Sequence, residues 1–63
     1  MCLSTAYKNN KSDDSVIARY VSKIEVRGNS VTLTDVMGIE TEIEGTLSFV
    51  DLTGGVVVIQ VAA

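Results

Sequence analysis

Val16-Ile17-Ala18-Arg19-Tyr20-Val21-Ser22-Lys23-Ile24-Glu25-Val26-Arg27 is the stretch on which the fold class turns. Val16, Ile17, Tyr20, Val21 and Ile24 keep a helical spacing, and Ser12 with Asp13 and Asp14 would cap such a helix. The same residues also alternate. Val16, Ala18, Tyr20, Ser22, Ile24 and Val26 face one way, and Ile17, Arg19, Val21, Lys23, Glu25 and Arg27 face the other. Ile24-Glu25-Val26-Arg27 runs directly into Gly28-Asn29, a hairpin signal. Residues 16–27 are therefore expected as a strand, broken near Arg19.

The neighbouring segments are easier to read. Ser30 to Thr34 places Val31 and Leu33 on one face, and Asp35-Val36-Met37-Gly38 is a turn. Ile39, Thr41 and Ile43 then alternate with Glu40, Glu42 and Glu44, which describes a half-buried strand with an acidic outer face. Gly45 closes it. Leu47 to Leu52 is a further strand, Thr53-Gly54-Gly55 turns the chain, and Val56 to Val61 is apolar enough to be buried on both faces. Upstream, Leu3, Thr5 and Tyr7 share a face of an extended segment over 2–8, followed by a polar loop from Lys8 to Ser15. The expectation is an all-β fold, with about six antiparallel strands forming a small barrel, closed or partly open, and residues 1–63 making a single domain.

Composition supports this reading. Ten Val, five Ile and six Thr make up a third of the 63 residues, and β-branched side chains favour strands. The chain is 46% hydrophobic, too apolar for a disordered segment. The longest apolar run, Gly54 to Ile59, is far too short to span a membrane as a helix. The formal net charge of −3 argues against a surface that tracks phosphates. With no His, imidazole metal sites and His-based triads are excluded. No Gly-rich phosphate loop, nucleophile elbow or carboxylate pair at catalytic spacing is present, so an enzyme is not expected. The single cysteine rules out an internal disulfide, and the absence of a signal peptide fits a cytoplasmic protein.

Cys2 is the residue with the most chemistry. Methionine ahead of a small residue is normally removed, which would leave a free amine on Cys2. That residue then offers a thiolate and an amine in one five-membered chelate, and the Leu3 backbone amide is a third donor once a metal drives its deprotonation. Thiolate with amine or amide nitrogens suits square-planar Ni(II) or Cu(II), and a sulfur-rich set suits Cu(I) or Zn(II). One chain supplies too few ligands for a closed site, whereas a two-fold dimer would supply two sulfurs and at least two nitrogens. The competing reading is that a lone cysteine is a small buried hydrophobe.

Met1-Cys2 before an apolar strand, Ile24-Glu25-Val26 before a Gly turn, Val31-Thr32-Leu33, Gly45, Val50-Asp51-Leu52 with Gly54-Gly55, and a final apolar strand together resemble the CooT family. Its members are small accessory proteins in the nickel maturation of carbon monoxide dehydrogenase, and the wider family is often labelled "predicted RNA-binding protein". The resemblance covers essentially the whole chain, and Met1-Cys2 is its specific feature. It implies an SH3-like barrel, a homodimer, a Ni(II) site built on Cys2 at the dimer interface, and a nickel enzyme as client.

The remaining polar residues have simpler readings. Glu40, Glu42 and Glu44, like Asp13-Asp14, are expected as solvated acidic groups and not as cation ligands. Asp51 is expected to accept backbone N–H groups in a turn around Thr53-Gly54. Arg19, Lys23 and Arg27 fall on one face of the 16–27 strand and, with Tyr7, Tyr20 and Phe49, form the alternative reading, a platform for single-stranded RNA. The aromatics are needed for the core of so small a barrel, and five cations face eight acids, so nucleic acid is the lesser reading.

Overall fold

The alternating β-branched positions appear as six strands in a computed structural model that describes residues 3–61. In chain order they are β1 (Ser4–Lys8), β2 (Val16–Arg27), β3 (Ser30–Asp35), β4 (Glu40–Glu44), β5 (Thr46–Asp51) and β6 (Val56–Gln60), with one 3-10 turn at Asp13–Ser15. They form one sheet in the order β4-β3-β2-β1-β6-β5. Among the described residues no helix is long and apolar enough to cross a membrane.

The all-β class and the six strands are as the sequence suggests, but two features of the architecture differ. β1 and β6 run parallel, with Thr5 opposite Val56 and Tyr7 opposite Val58. Every other ladder is antiparallel. The four other strands lie between β1 and β6 in the chain, so no hairpin ties their directions together. The sheet is also not closed into a barrel, since β4 and β5 are its two edges. Gly45 carries the chain from one edge to the other. A Cβ there would lie 2.5 Å from the Gln60 carbonyl oxygen, so the link passes against β6 only because the residue is glycine.

β2 is a strand along its whole length, and its break falls at Tyr20, which has φ +58°. The register against β3 then slips between Val21 and Lys23. This is the signature of a bulge, which adds a residue and turns later side chains to the opposite face. Val21 and Ile24 consequently both reach the core, although simple alternation puts them on opposite faces. A second slip, against β1 between Ala18 and Val21, precedes it, and Ala18, Val21 and Ile24 all pack on the core.

Ala6, Val21, Val31, Leu33, Val57 and Ile59 form the buried core, with Ile17, Ala18, Ile24, Ile43 and Val61 packed around it. The register also defines the outer surface. On β2–β3–β4, Lys23, Thr34 and Glu40 lie side by side, as do Glu25, Thr32 and Glu42. On β5–β6–β1 the corresponding row is Phe49, Val58 and Tyr7. Val56 and Val58 stand outside the core cluster yet are only 7% exposed, so β6 is buried on both sides, as its unbroken apolar run suggests.

Candidate metal centre and its surroundings

Cys2 lies outside the described residues, and its immediate neighbour Leu3 is half-buried. Leu3 opens the described part of the chain. Ser4 is buried, and the Thr5 amide donates to the Gly55 carbonyl at 2.8 Å. Gly55 has φ +70°, and a Cβ there would meet the Leu3 carbonyl oxygen at 3.2 Å. The β5–β6 turn thus holds the start of β1. By alternation from Ser4, Leu3 falls on the outer face with Thr5 and Tyr7, the face that carries Phe49 and Val58.

The same end of the sheet gathers other chain reversals. Ser4 is in register with Val21, and Val21 with Asp35. A cavity of about 210 Å³ beside the start of β1 is lined by Ser4, Val21, Ser22, Lys23, Ile24 and Leu52. A larger hollow, about 420 Å³, lies at the opposite end among Asn29, Glu44, Gly45, Thr46, Gln60 and Val61. Its wall carries a single charged side chain, Glu44.

Asp35 was not singled out in the sequence, yet it organises the turn that follows β3. Its Oδ1 accepts the Met37 amide at 2.8 Å and the Ile39 amide at 3.0 Å. The Asp35 amide donates to the Ile39 carbonyl, and the Gly38 amide to the Asp35 carbonyl, both at 3.0 Å. Gly38 takes φ +89°, a conformation that favours glycine. The Val36 amide donates to the Tyr20 carbonyl at 3.0 Å, tying this turn to the break in β2. The signal available in sequence was Asp at the first and Gly at the fourth turn position. Asp51 behaves as expected, accepting the Gly54 amide at 3.0 Å through Oδ1.

The cations do not form a free row. Arg27 bonds Glu25 through both Nε (3.1 Å) and an Nη (2.8 Å). This hydrogen bond, together with the charge of Glu25, raises the Arg27 pKa above its ordinary value, and Glu42 and Glu40 add to the effect. Lys23 lies in the same face as Glu40. With Glu25, Glu40, Glu42 and Glu44 on that surface, carboxylates outnumber cations. Tyr20 and Phe49 are exposed, but Tyr7 is only half-exposed. The three aromatics are distributed over β1, β2 and β5 and do not line a basic groove. Among the described residues no three acidic or sulfur ligands converge. Glu40, Glu42 and Glu44 occupy alternate, solvent-exposed positions of β4.

A family model described as CO dehydrogenase accessory protein CooT matches residues 1–60 of the chain. No curated protein and no solved structure matches it.

Proposed function

Because the chain belongs to the CooT family of CO dehydrogenase accessory proteins, we propose that it binds Ni(II) as cargo for that enzyme in the cytoplasm. It serves the enzyme without being a catalyst itself. The ligands are the Cys2 thiolate and amine, exposed by removal of Met1, with the Leu3 amide nitrogen as a further donor. Two chains related by a two-fold axis bring their N-termini together and share one metal. The observation that carries this reading is the span of the family match, which begins at residue 1 and so includes Met1-Cys2.

The outer face of β5–β6–β1 supports the dimer. On that face Phe49 is 54% exposed, beside the half-buried Tyr7 and Leu3 and the already buried Val58. Large apolar side chains in a common patch mark an association surface. Leu3, which follows Cys2 in the sequence, belongs to this surface by alternation.

The test is a Ni(II) titration of untagged protein whose mass shows loss of Met1. Sulfur-to-nickel charge-transfer absorption is expected to saturate at about one metal per two chains. Cys2→Ser abolishes this absorption and leaves the thermal transition unchanged. Equal binding by the serine variant refutes the assignment. Thiol and ammonium must both lose protons to bind metal, so affinity rises from about pH 6 to about pH 9, where such groups titrate. A flat profile instead indicates carboxylate ligands such as Glu40 and Glu42.

A further inference from the structure

We infer that the hollow at the Gly45 corner of the sheet binds a small guanidinium compound, a planar monocation carrying an apolar body. The inference is independent of the nickel reading. Three parts of the chain meet at this corner. Asn29 comes from the β2–β3 turn, Glu44, Gly45 and Thr46 from the link between the two edge strands, and Gln60 with Val61 from the end of β6. They surround about 420 Å³, within the roughly 300–1,000 Å³ of small-molecule sites. Backbone hydrogen bonds hold the wall. The Gly45 amide donates to the Asn29 carbonyl at 2.7 Å, and the Val61 amide to Asn9 Oδ1 at 2.8 Å. A Cβ on Gly45 would lie 3.2 Å from Ile59 Cγ2 as well as against the Gln60 carbonyl, so the link comes this close to β6 only as glycine. A wall fixed in this way needs little ordering when a ligand enters.

The side chains on this wall specify the class of ligand. Among the described residues the Glu44 carboxylate makes no ion pair. Arg27 is nearest to it in register, across Ser30, but its guanidinium is taken by Glu25. Gln60 spends its Nε2–H on Asn9 Oδ1 at 3.3 Å, which leaves Oε1 to accept. Asn29 and Thr46 add an amide and a hydroxyl, and no cation lines the hollow. A ligand that completes this wall therefore brings positive charge and several donors. Guanidinium suits it better than ammonium. Its planar fork engages both oxygens of one carboxylate, has N–H groups left for Gln60 Oε1, and is the more weakly hydrated of the two. Val61 supplies hydrocarbon for the apolar body. Glu44 is exposed, so the attraction is screened and depends on salt.

The test titrates isotope-labelled, metal-free protein with n-butylguanidinium chloride and follows the backbone amide signals by NMR. Saturable shifts are expected at Glu44, Gly45, Thr46 and Gln60, with a dissociation constant on the order of 1 mM, the scale for so small a ligand. Glu44→Gln is expected to weaken binding at least fivefold. Glu42→Gln removes the neighbouring charge of the same strand, outside the hollow, and is expected to stay within twofold. n-Butanol, a similar apolar body without the charge, is expected to give no saturable shift at these residues. Raising salt from about 20 mM to about 300 mM weakens wild-type binding severalfold. Unchanged signals away from the hollow establish that the variants remain folded. The proposal is overturned if wild type shows no saturable shift at the hollow, or if Glu44→Gln binds like wild type. It is overturned equally if Glu42→Gln loses as much as Glu44→Gln, which would make the ligand a counterion of the whole acidic face. No arm uses nickel, so failure of the nickel reading leaves this test intact.

Discussion

The outer surface of β2–β3–β4 and that of β5–β6–β1 belong to one sheet and cover one core, yet their chemistry is opposite. The first alternates strictly, with Glu40, Glu42 and Glu44 outward and Thr41 and Ile43 inward, and it ends in an edge strand lined with charge. The second exposes Phe49 beside Val58 and Tyr7, and its edge strand β5 has no charged side chain before Asp51. An edge lined with carboxylates repels a further strand or a second copy, and an apolar edge invites one. Leu47 and Val50 reinforce the difference. Both lie in register with the core residues Ile59 and Val57, yet both remain partly exposed because the sheet does not close over β5. One half of the molecule is therefore finished as a solvent-facing surface, and the other half is suited to being covered.

The shared core should respond most strongly to substitution. Leu33 is 1% exposed, so Leu33→Ala is expected to lower unfolding free energy by about 2–5 kcal/mol, measured by denaturant titration. A smaller loss would mean that the two faces do not depend on one core. Next, if the proposed dimer forms through this face, Phe49→Glu is expected to raise its dissociation constant about 30-fold or more, the effect of losing an aromatic anchor. Sedimentation across a dilution series reads this directly, and Glu42→Lys serves as the matched substitution on the charged face. If both variants dimerise alike, the contrast between the faces has no part in association.

The turns sharpen the comparison at a smaller scale. Gly28 in the β2–β3 turn and Gly55 in the β5–β6 turn both have positive φ, but a Cβ at Gly28 meets nothing, whereas one at Gly55 meets the Leu3 carbonyl oxygen. Gly28→Ala should therefore destabilise by about 1 kcal/mol from backbone strain alone. Gly55→Ala should exceed it, because the added methyl presses on the Leu3 carbonyl oxygen as well. Equal thermal midpoints for the two variants would remove this distinction. Smallest of all is Arg27→Ala. The guanidinium and its partner Glu25 are both well exposed, so the ion pair is screened, and no measurable change in thermal midpoint is expected.

Much of this was legible in the residues because a half-buried strand leaves a period of two. Glu40-Thr41-Glu42-Ile43-Glu44 could be assigned side by side to core and solvent, although Ile39, expected on the inner face with Thr41 and Ile43, precedes β4 and is exposed, and the unbroken Val56–Ile59 run marked a strand covered on both faces. Residues 16–27 were harder. The bulge between Val21 and Lys23 brings Val21 and Ile24 to the same core, a spacing of three that also reads as a helix. The helical pattern was thus the trace of a slipped register. Asp35 escaped notice because a single Asp in a turn does not reveal how many amides its carboxylate will accept.

The alternation of apolar and polar residues determined that this chain is a β protein, where its strands begin and end, and which side of β4 meets water. The Met1-Cys2 start, within the residues the family model matches, is the part of the sequence on which the proposed nickel site rests. Tertiary structure alone decided that β1 lies parallel to β6, that the sheet stays open between β4 and β5, and that Leu52 shares a cavity wall with Ser4 and Val21. The physical reason is range. Side-chain period and turn chemistry act over a few neighbouring residues, whereas the pairing of β1 with β6 joins the two ends of the chain and depends on how all the intervening strands pack.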